Sequence, residues 1–198
     1  MKKFGVETTF VDTSDIESVK KAIKPNTKII YVESPGNPTL CISDIEEISK
    51  LAQKHNAKVV VDNTFMSPAL QNPIALGADV VMHSLTKFLN GHADVVGGII
   101  IVKDEATYQQ FRKTLNQIGG VIDPFNSFLV HRGLKTLGLR MQRHCESAQK
   151  IAEWLEKHPL VKNIRFPGLK SHPHYEVGSK QHKGPGGMIT FEVEGGIE

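Results

Sequence analysis

The sequence predicts an α/β fold with a mostly parallel sheet flanked by helices. Three runs rich in β-branched residues, at 6–11, 28–32 and 58–62, alternate with two helical patterns, at 14–23 and 43–55. Strands that alternate with helices of about a dozen residues are typical of βαβ units. In such sheets the loops at the carboxyl ends of the strands form the ligand sites. A candidate site is therefore expected in the loops after residues 32 and 62.

Each helical pattern in the first part of the chain begins with the same four residues, Ser-Asp-Ile-Glu, at 14–17 and at 43–46. This spacing predicts a capping box, in which a serine at the first position caps the helix. The first helix is expected to stop at Pro25. The second places apolar residues on one face, and a loop with two prolines precedes it at 33–38.

The remainder of the chain continues the alternation. A strand at 79–83 leads into a turn at 84–87, and a second strand at 95–102 is expected to end in a buried segment, 99–102. Helices are predicted at 104–117, 123–133 and 139–157. Strands at 161–166 and 188–193 enclose a loop, 167–187, that is rich in proline, glycine and histidine.

The long helix at 139–157 carries an apolar stripe that is expected to lie in the core. The stripe consists of Met141, Cys145, Ala148, Ile151, Ala152 and Leu155. We expect a domain boundary near Gly138. Residues 1–138 would form one domain, and residues 139–198 would form the beginning of a smaller, incomplete α+β domain.

Composition excludes several classes of protein. The 198 residues are 39% hydrophobic and 23% charged, which is ordinary for a globular protein. No apolar run approaches the roughly 20 residues of a membrane span, and the amino terminus does not resemble a signal peptide. The net charge of +3 is scattered, so nucleic acid is not expected as a partner. The two cysteines fit neither a disulfide framework nor a zinc site, which favours a reducing, cytoplasmic location.

The main candidate site combines Lys87, in the turn after one strand, with Asp62, at the end of another. Lys87 could carry a pyridoxal phosphate Schiff base, with Asp62 facing the ring nitrogen and the hydroxyls of Ser84 and Thr86 binding phosphate. Alternatively, Lys87 is an ordinary surface lysine and Asp62 caps a turn. A single such lysine does not decide between these interpretations.

Four motifs occur in order along the chain: ESPGNP at 33–38, VDNTF at 61–65, HSLTKFLNGH at 83–92 and RGLKTL at 132–137. With these motifs the sequence closely resembles the cystathionine and methionine γ-lyase family, the pyridoxal-phosphate-dependent transsulfuration enzymes of cysteine and methionine metabolism. The resemblance covers essentially the whole chain. It implies the fold type I architecture of pyridoxal-phosphate enzymes, and it implies that the chain is the central part of a longer enzyme.

The resemblance also implies roles for individual residues. Lys87 would form the Schiff base with pyridoxal 5'-phosphate and act as the catalytic base. Asp62 would keep the pyridine nitrogen protonated, which makes the ring an electron sink. Ser84 and Thr86 would bind the phosphate, and Asn37 would lie near the ring hydroxyl.

The activity implied by the resemblance is γ-elimination on a sulfur amino acid, most like cystathionine γ-lyase. Cystathionine γ-synthase and methionine γ-lyase are the close alternatives. Residues 115–119 lack the lysine–aspartate pair that methionine γ-lyases usually carry, which disfavours that alternative. The family also implies a homotetramer built from dimers that share active sites. A hypothesis of another class is an inactive fragment that only assembles with partner subunits.

Several other residues are weaker site candidates. His172, His174 and His182 could be metal ligands, but a surface loop is the favoured interpretation. Residues 184–187, Gly-Pro-Gly-Gly, indicate a turn and not a phosphate cradle, because a strand follows them. His83 and His92 either tune the cofactor site or pack in an ordinary way. Neither Cys41 nor Cys145 has a predicted setting that would activate its thiol, and Arg132, Lys135 and Arg140 are candidates for a domain junction or subunit contact.

Overall fold

A four-stranded sheet lies at the centre of the first part of the molecule, in a computed structural model that describes residues 2–195. Its strands are β1 (Ile29–Glu33), β2 (Lys58–Asp62), β3 (Val80–Ser84) and β4 (Gly98–Val102), and they are neighbours in that order. The first three strands run parallel, and β4 pairs antiparallel with β3. The mostly parallel sheet flanked by helices is therefore confirmed.

The helices α1 (Ile16–Ala22) and α2 (Ile45–Lys54) pack on this sheet, and the single turn α3 (Ser67–Leu70) follows β2. The predicted inner face of α2 is confirmed, since Ile45, Ile48 and Ala52 are buried. They pack with Val59 and Val61 of β2 in one hydrophobic cluster. This cluster packs α2 against β2, the strand that ends at Asp62.

The predicted capping residues are wrong by one position. The caps are Asp15 for α1, which accepts from Glu17 N, and Asp44 for α2, which accepts from Glu47 N at 2.9 Å. An aspartate carboxylate at the cap accepts the free amides of the first turn as well as a serine hydroxyl does. Ser43 instead donates its backbone N–H to Ser34 Oγ at 3.1 Å.

The strand prediction at 6–11 is wrong, and so is the predicted burial of the segment 99–102. Residues 6–11 form no strand, and Phe10 is 95% exposed, because no neighbouring strand within residues 2–195 offers this segment hydrogen-bond partners. The segment 99–102 is a strand, but Ile99, Ile100 and Ile101 are exposed. The sequence shows that these residues are apolar, but it does not show which faces of an edge strand are covered.

Three longer helices follow, α4 (Glu105–Ile118), α5 (Pro124–Leu134) and α6 (Leu137–Leu155). The stripe on α6 is largely confirmed, since Met141, Ala148, Ala152 and Leu155 are buried and Cys145 is half-buried. Ile151 is 50% exposed, contrary to the prediction. It lies about 100° around the helix from Ala152, outside the buried face.

The last described part contains β5 (Val161–Arg165), α7 (Tyr175–Gln181) and β6 (Thr190–Val193), with β5 and β6 antiparallel. Helix α7 lies inside the segment that was predicted as a loop, so that prediction is wrong for these residues. Gly138 lies in the first turn of α6, and the division into 1–138 and 139–198 stays a prediction. Among the helices of residues 2–195, none combines the length and the apolar character that a membrane span requires.

Candidate active site

The carboxyl ends of the three parallel strands meet at one edge of the sheet. Glu33 at the end of β1 pairs with Asp62 at the end of β2. Asp62 in turn pairs with Met82, two residues before Ser84 at the end of β3. Asp62 and Ser84 are thus brought to the same edge, as the alternation of strands and helices predicts.

Asp62 is half-buried and places a negative charge at this edge. Its Oδ1 accepts a hydrogen bond from Thr64 N at 3.0 Å. Burial raises the pKa of Tyr31 and that of Glu33, and the charge of Asp62 raises both further. The negative charge of Asp62 therefore acts on two side chains of the neighbouring strand β1, those of Tyr31 and Glu33.

Lys87 lies in a short π-helical turn, Leu85–Leu89, that directly follows β3. Its backbone departs from helical geometry, with φ −94° and ψ −127°. Gly91 N donates to Lys87 O at 2.8 Å, and Asn90 N donates to Leu85 O at 3.1 Å. The Lys87 side chain is exposed, so its amine is accessible to solvent.

Backbone amides donate hydrogen bonds to two of the three hydroxyl groups near Lys87. Thr64 Oγ1 accepts from Ser84 N at 2.9 Å, and Thr86 Oγ1 accepts from Gly97 N at 3.2 Å. Because Thr86 Oγ1 is used as an acceptor there, its hydroxyl hydrogen remains free to donate. The Ser84 hydroxyl has no hydrogen-bond partner among residues 2–195.

Asn37 lies on the loop after β1, and its side chain is exposed. Its backbone N–H donates to Glu33 Oε1 at 3.3 Å, which links the loop to the end of β1. The structure thus places Asn37 in the loop that leaves the same edge of the sheet, while its predicted role toward the cofactor stays a prediction.

A buried polar network joins the loops after β1 and β2, and the sequence did not indicate it. Asn63 donates through Nδ2 to Gln71 O at 2.9 Å and to Ser67 O at 3.2 Å. Gln71 donates through Nε2 to Asn63 Oδ1 at 2.7 Å and to Ser34 O at 3.0 Å. Asn63 stands in one of the four motifs, but nothing in its type shows that it is buried.

His83 is buried on β3, and burial lowers its pKa despite the nearby charge of Asp62. Its Nδ1 is buried without a hydrogen-bond partner among the described residues. The imidazole is therefore neutral at physiological pH. His92 Nδ1 lies 2.7 Å from Asn90 O, just beyond the Lys87 turn. Tuning of the site and ordinary packing both stay open for these two residues.

The prediction of a surface loop is wrong for the carboxyl-terminal histidines. His172 is only 4% exposed, and its Nε2–H donates to Leu40 O at 3.1 Å. Its Nδ1 accepts from His174 N, and His174 Nδ1 accepts from Ile42 N, both at 3.1 Å. These bonds fasten the connection between β1 and α2. Within residues 2–195, no three His, Cys, Asp or Glu side chains are grouped to hold a metal ion.

The two cysteines are free thiols in different settings. Burial raises the pKa of Cys145, in agreement with an unactivated thiol. Cys41 Sγ lies 3.5 Å from Arg165 Nη1, a cationic neighbour that the sequence did not predict. Arg132 and Lys135 are exposed, whereas Arg140 contacts the backbone of the Lys87 turn.

The groups at this edge are of the types that bind pyridoxal phosphate. An accessible amine, a carboxylate at the neighbouring strand end and two hydroxyls that can donate are the groups needed for an aldehyde, a protonated ring nitrogen and a phosphate. The fold and the site are thus those expected of α/β enzymes that bind pyridoxal phosphate.

Comparison with known proteins narrows this class. The family model described as "Cys/Met metabolism PLP-dependent enzyme" matches residues 1–198. An L-methionine γ-lyase of Treponema denticola is 54% identical over all of this chain and 50% of its own length. A cystathionine γ-synthase of Mycobacterium leprae is 50% identical over 98% of this chain and 50% of its own length.

Solved structures agree with the sequence matches. The crystal structure of metB from Corynebacterium glutamicum superposes with a TM-score of 0.96 at 51% identity. That of cystathionine γ-lyase from Lactobacillus plantarum complexed with L-serine also has a TM-score of 0.96, at 45% identity. The matches cover 98% of this chain and 50% or 51% of the solved chains.

The chain belongs to the family of pyridoxal-phosphate-dependent enzymes of cysteine and methionine metabolism. The predicted family, its fold and its cofactor are confirmed. The chain spans about half the length of the curated relatives that it matches. The relatives include γ-lyases, a β-lyase and a γ-synthase, so they leave the particular member of the family open.

Proposed function

We propose that this chain supplies the cofactor-binding centre of a pyridoxal-phosphate-dependent carbon–sulfur lyase that acts on a sulfur amino acid by γ-elimination. Cystathionine is the proposed substrate, with cysteine, 2-oxobutanoate and ammonia as products. The observation that carries the proposal is the meeting of Asp62, Ser84 and the Lys87 turn at one edge of the sheet.

In this proposal Lys87 attaches the cofactor and, once released by the incoming amino acid, moves a proton at the substrate α-carbon. The bound cofactor would supply an electron sink for the carbanion at that carbon. Asp62 would hold the proton on the ring nitrogen through its negative charge. The field of Asp62, which already raises the pKa of Tyr31 and Glu33, supports this role.

Ser84 and Thr86 are proposed to bind the phosphate. The Ser84 hydroxyl has no partner in the described part of the chain, and the Thr86 hydroxyl is oriented by Gly97 N so that it can donate. Two neutral donors suit an anion without adding a charge that would compete with Lys87. Asn37 is proposed to lie near the ring hydroxyl, which its place on the loop after β1 supports.

Methionine is the second candidate substrate, and the 54% identity to an L-methionine γ-lyase favours it. The absence of a lysine–aspartate pair at 115–119 disfavours it. We also propose a cytoplasmic location and a homotetramer of dimers with shared active sites. The exposed apolar residues of α4, such as Phe111 and Leu115, support burial in a larger assembly.

The test is a titration of the chain with pyridoxal phosphate, followed by the absorption of the cofactor–lysine linkage. The band should appear in the wild type and in Lys113→Ala, which changes an exposed lysine of α4, and it should be absent in Lys87→Ala. A band that never appears, or that survives Lys87→Ala, would contradict the proposal. A band that never appears would favour the alternative in which the chain is an inactive fragment that needs partner subunits.

Product analysis distinguishes the candidate activities. 2-Oxobutanoate with cysteine from cystathionine supports the proposed lyase, and 2-oxobutanoate with methanethiol from methionine supports the second candidate. Cystathionine formed from an activated homoserine and cysteine would show a synthase. Pyruvate with homocysteine from cystathionine would show a β-lyase, the activity named for a relative that is 48% identical.

A further inference from the structure

The turn that carries Lys87 ends in carbonyl groups that its own backbone does not satisfy. Leu85 O and Lys87 O accept from Asn90 N and Gly91 N. The next carbonyls, those of Phe88 and Leu89, face out of the end of the turn, as the last carbonyls of any helical segment do. A donor from elsewhere in the chain is needed to hold this end in place.

Arg140 of α6 supplies that donor. Its Nη1 donates to Phe88 O at 2.8 Å, and its Nη2 lies 3.4 Å from Leu89 O. The same Nη2 donates to Gly133 O at 2.8 Å, and Nε donates to Thr136 Oγ1 at 3.1 Å. One guanidinium therefore connects the Lys87 turn with the end of α5 and the start of α6.

Two glycines allow close packing around this guanidinium. A Cβ added to Gly91, which has φ +76°, would lie within 2.1 Å of Arg140 Nη1. A Cβ added to Gly133 would lie 2.2 Å from Asn90 O. The absence of side chains at these two glycines lets the turn, α5 and Arg140 approach each other directly.

We propose that Arg140 is the positioning residue of Lys87: its guanidinium fixes the carboxyl end of the Lys87 turn and thereby aims the Lys87 amine at the edge of the sheet. The planar fork of arginine contacts four acceptors here, more than the three N–H donors of a lysine ammonium could satisfy. The part of this proposal that concerns the Lys87 amine rests on the proposed function. The part that concerns the position of the turn rests only on the hydrogen bonds of Arg140.

The experiment uses the 198-residue chain with four substitutions: Arg140→Met, Arg140→Lys, Arg140→Ala and, as a control, Arg143→Met. Arg143 lies on the same helix, is exposed and pairs only with the exposed Glu146 among the described residues. Two quantities are measured. Hydrogen exchange measures how readily the amides of Asn90 and Gly91 open. The rate at which the pyridoxal phosphate absorption band forms measures the reaction of Lys87 with the cofactor.

In Arg140→Met the Asn90 and Gly91 amides should exchange roughly tenfold faster or more, as expected for the loss of hydrogen bonds from a charged donor. The amides of β2 should be unchanged. The band should form about tenfold more slowly, an effect of the same size. Arg140→Lys should lie between the wild type and Arg140→Met, and Arg143→Met should match the wild type.

Added guanidinium ion at millimolar concentration should restore band formation in Arg140→Ala but not in Arg140→Met, where the methionine side chain fills the space. Unchanged exchange of the β2 amides in Arg140→Ala would distinguish this role from stabilisation of the whole fold. Should Arg140→Met fail to fold, Arg140→Lys and the rescue of Arg140→Ala decide the question.

Unchanged exchange at Asn90 and Gly91, or equal acceleration of every amide in the chain, would overturn the proposal. Failure of guanidinium to rescue Arg140→Ala would also overturn it. If the wild type takes no pyridoxal phosphate on Lys87, the proposed function fails, whereas the exchange measurement still decides whether Arg140 holds the turn.

Discussion

The Lys87 turn and helix α4 are two helical segments that are held by different means. Helix α4 is defined by its own sequence, since Asp104 caps its start by accepting from Thr107 N at 2.8 Å and Gly119, with φ +74°, ends it. No residue of α4 is buried. The Lys87 turn instead depends on distant residues, including Arg140 and Gly97. We therefore expect substitutions around the turn to have larger effects than substitutions in α4.

The largest effect is expected at the contact between α5 and the Lys87 turn. In Gly133→Ala the new methyl group would overlap the backbone of Asn90, so the free energy of unfolding should fall by about 1–3 kcal/mol or more. Urea unfolding measures this change.

The matched control is Gly138→Ala in α6, where an added Cβ has nothing within 4 Å in the described chain. This substitution should raise the free energy of unfolding by roughly 0.5–1 kcal/mol, because alanine loses less backbone entropy in a helix. Equal changes at the two glycines would contradict the close approach of α5 to the turn.

The contacts of the carboxyl-terminal histidines also join distant parts of the chain. Their contribution to the free energy of unfolding should depend on pH. Burial lowers the pKa of His172 to about 4 and that of His182 to about 4, from an ordinary 6.5. Between pH 4 and pH 6.5 the folded state keeps both imidazoles neutral, whereas in the unfolded chain both imidazoles bind protons. The free energy of unfolding should therefore be highest above pH 6.5 and should decrease as the pH falls toward 4.

His172→Gln removes one of these groups and should make that pH dependence shallower, by up to about 1.4 kcal/mol per pH unit. Urea unfolding at several pH values between 4 and 7 measures the slope. The same slope in the variant and in the wild type would mean that His172 is not kept neutral by the fold.

The smaller effects are expected in α4. Asp104→Ala should lower the free energy of unfolding by less than Gly133→Ala does, because only the exposed first turn of α4 loses its cap. Ile118→Ser, at a side chain that is 76% exposed, should change it by less than about 0.5 kcal/mol. A large effect of Ile118→Ser in the isolated chain would show that α4 is packed more tightly than its exposure indicates. Thermal unfolding monitored by circular dichroism measures both variants.

The difference between these regions also explains what the sequence could predict. The strands that end at Asp62 and Ser84 follow from periodicity, and their meeting follows from the rule for parallel strands. Arg140 acts on carbonyls about fifty residues away in the chain, and no local pattern identifies such a contact. Asn63 was likewise visible as part of a motif, but its burial depends on a partner, Gln71, that lies after the following turn.

The wrong predictions of strand formation and of burial have the same physical origin. Residues 6–11 have the composition of a strand but no neighbour to pair with in the described chain, and the apolar end of β4 lies at an edge. Covering of an apolar residue is a property of the tertiary structure, so a pattern of apolar residues predicts the element and not its burial. The same limit applies to His172, which lies in a stretch rich in proline, glycine and histidine that predicts a surface loop.

The most direct test of the central claim is to reduce the complex of this chain and pyridoxal phosphate with borohydride and to map the modified peptide by mass spectrometry. We predict that the cofactor is recovered on Lys87, in the peptide that contains Ser84 and Thr86. Label on another lysine, or label spread over several lysines, would contradict the account.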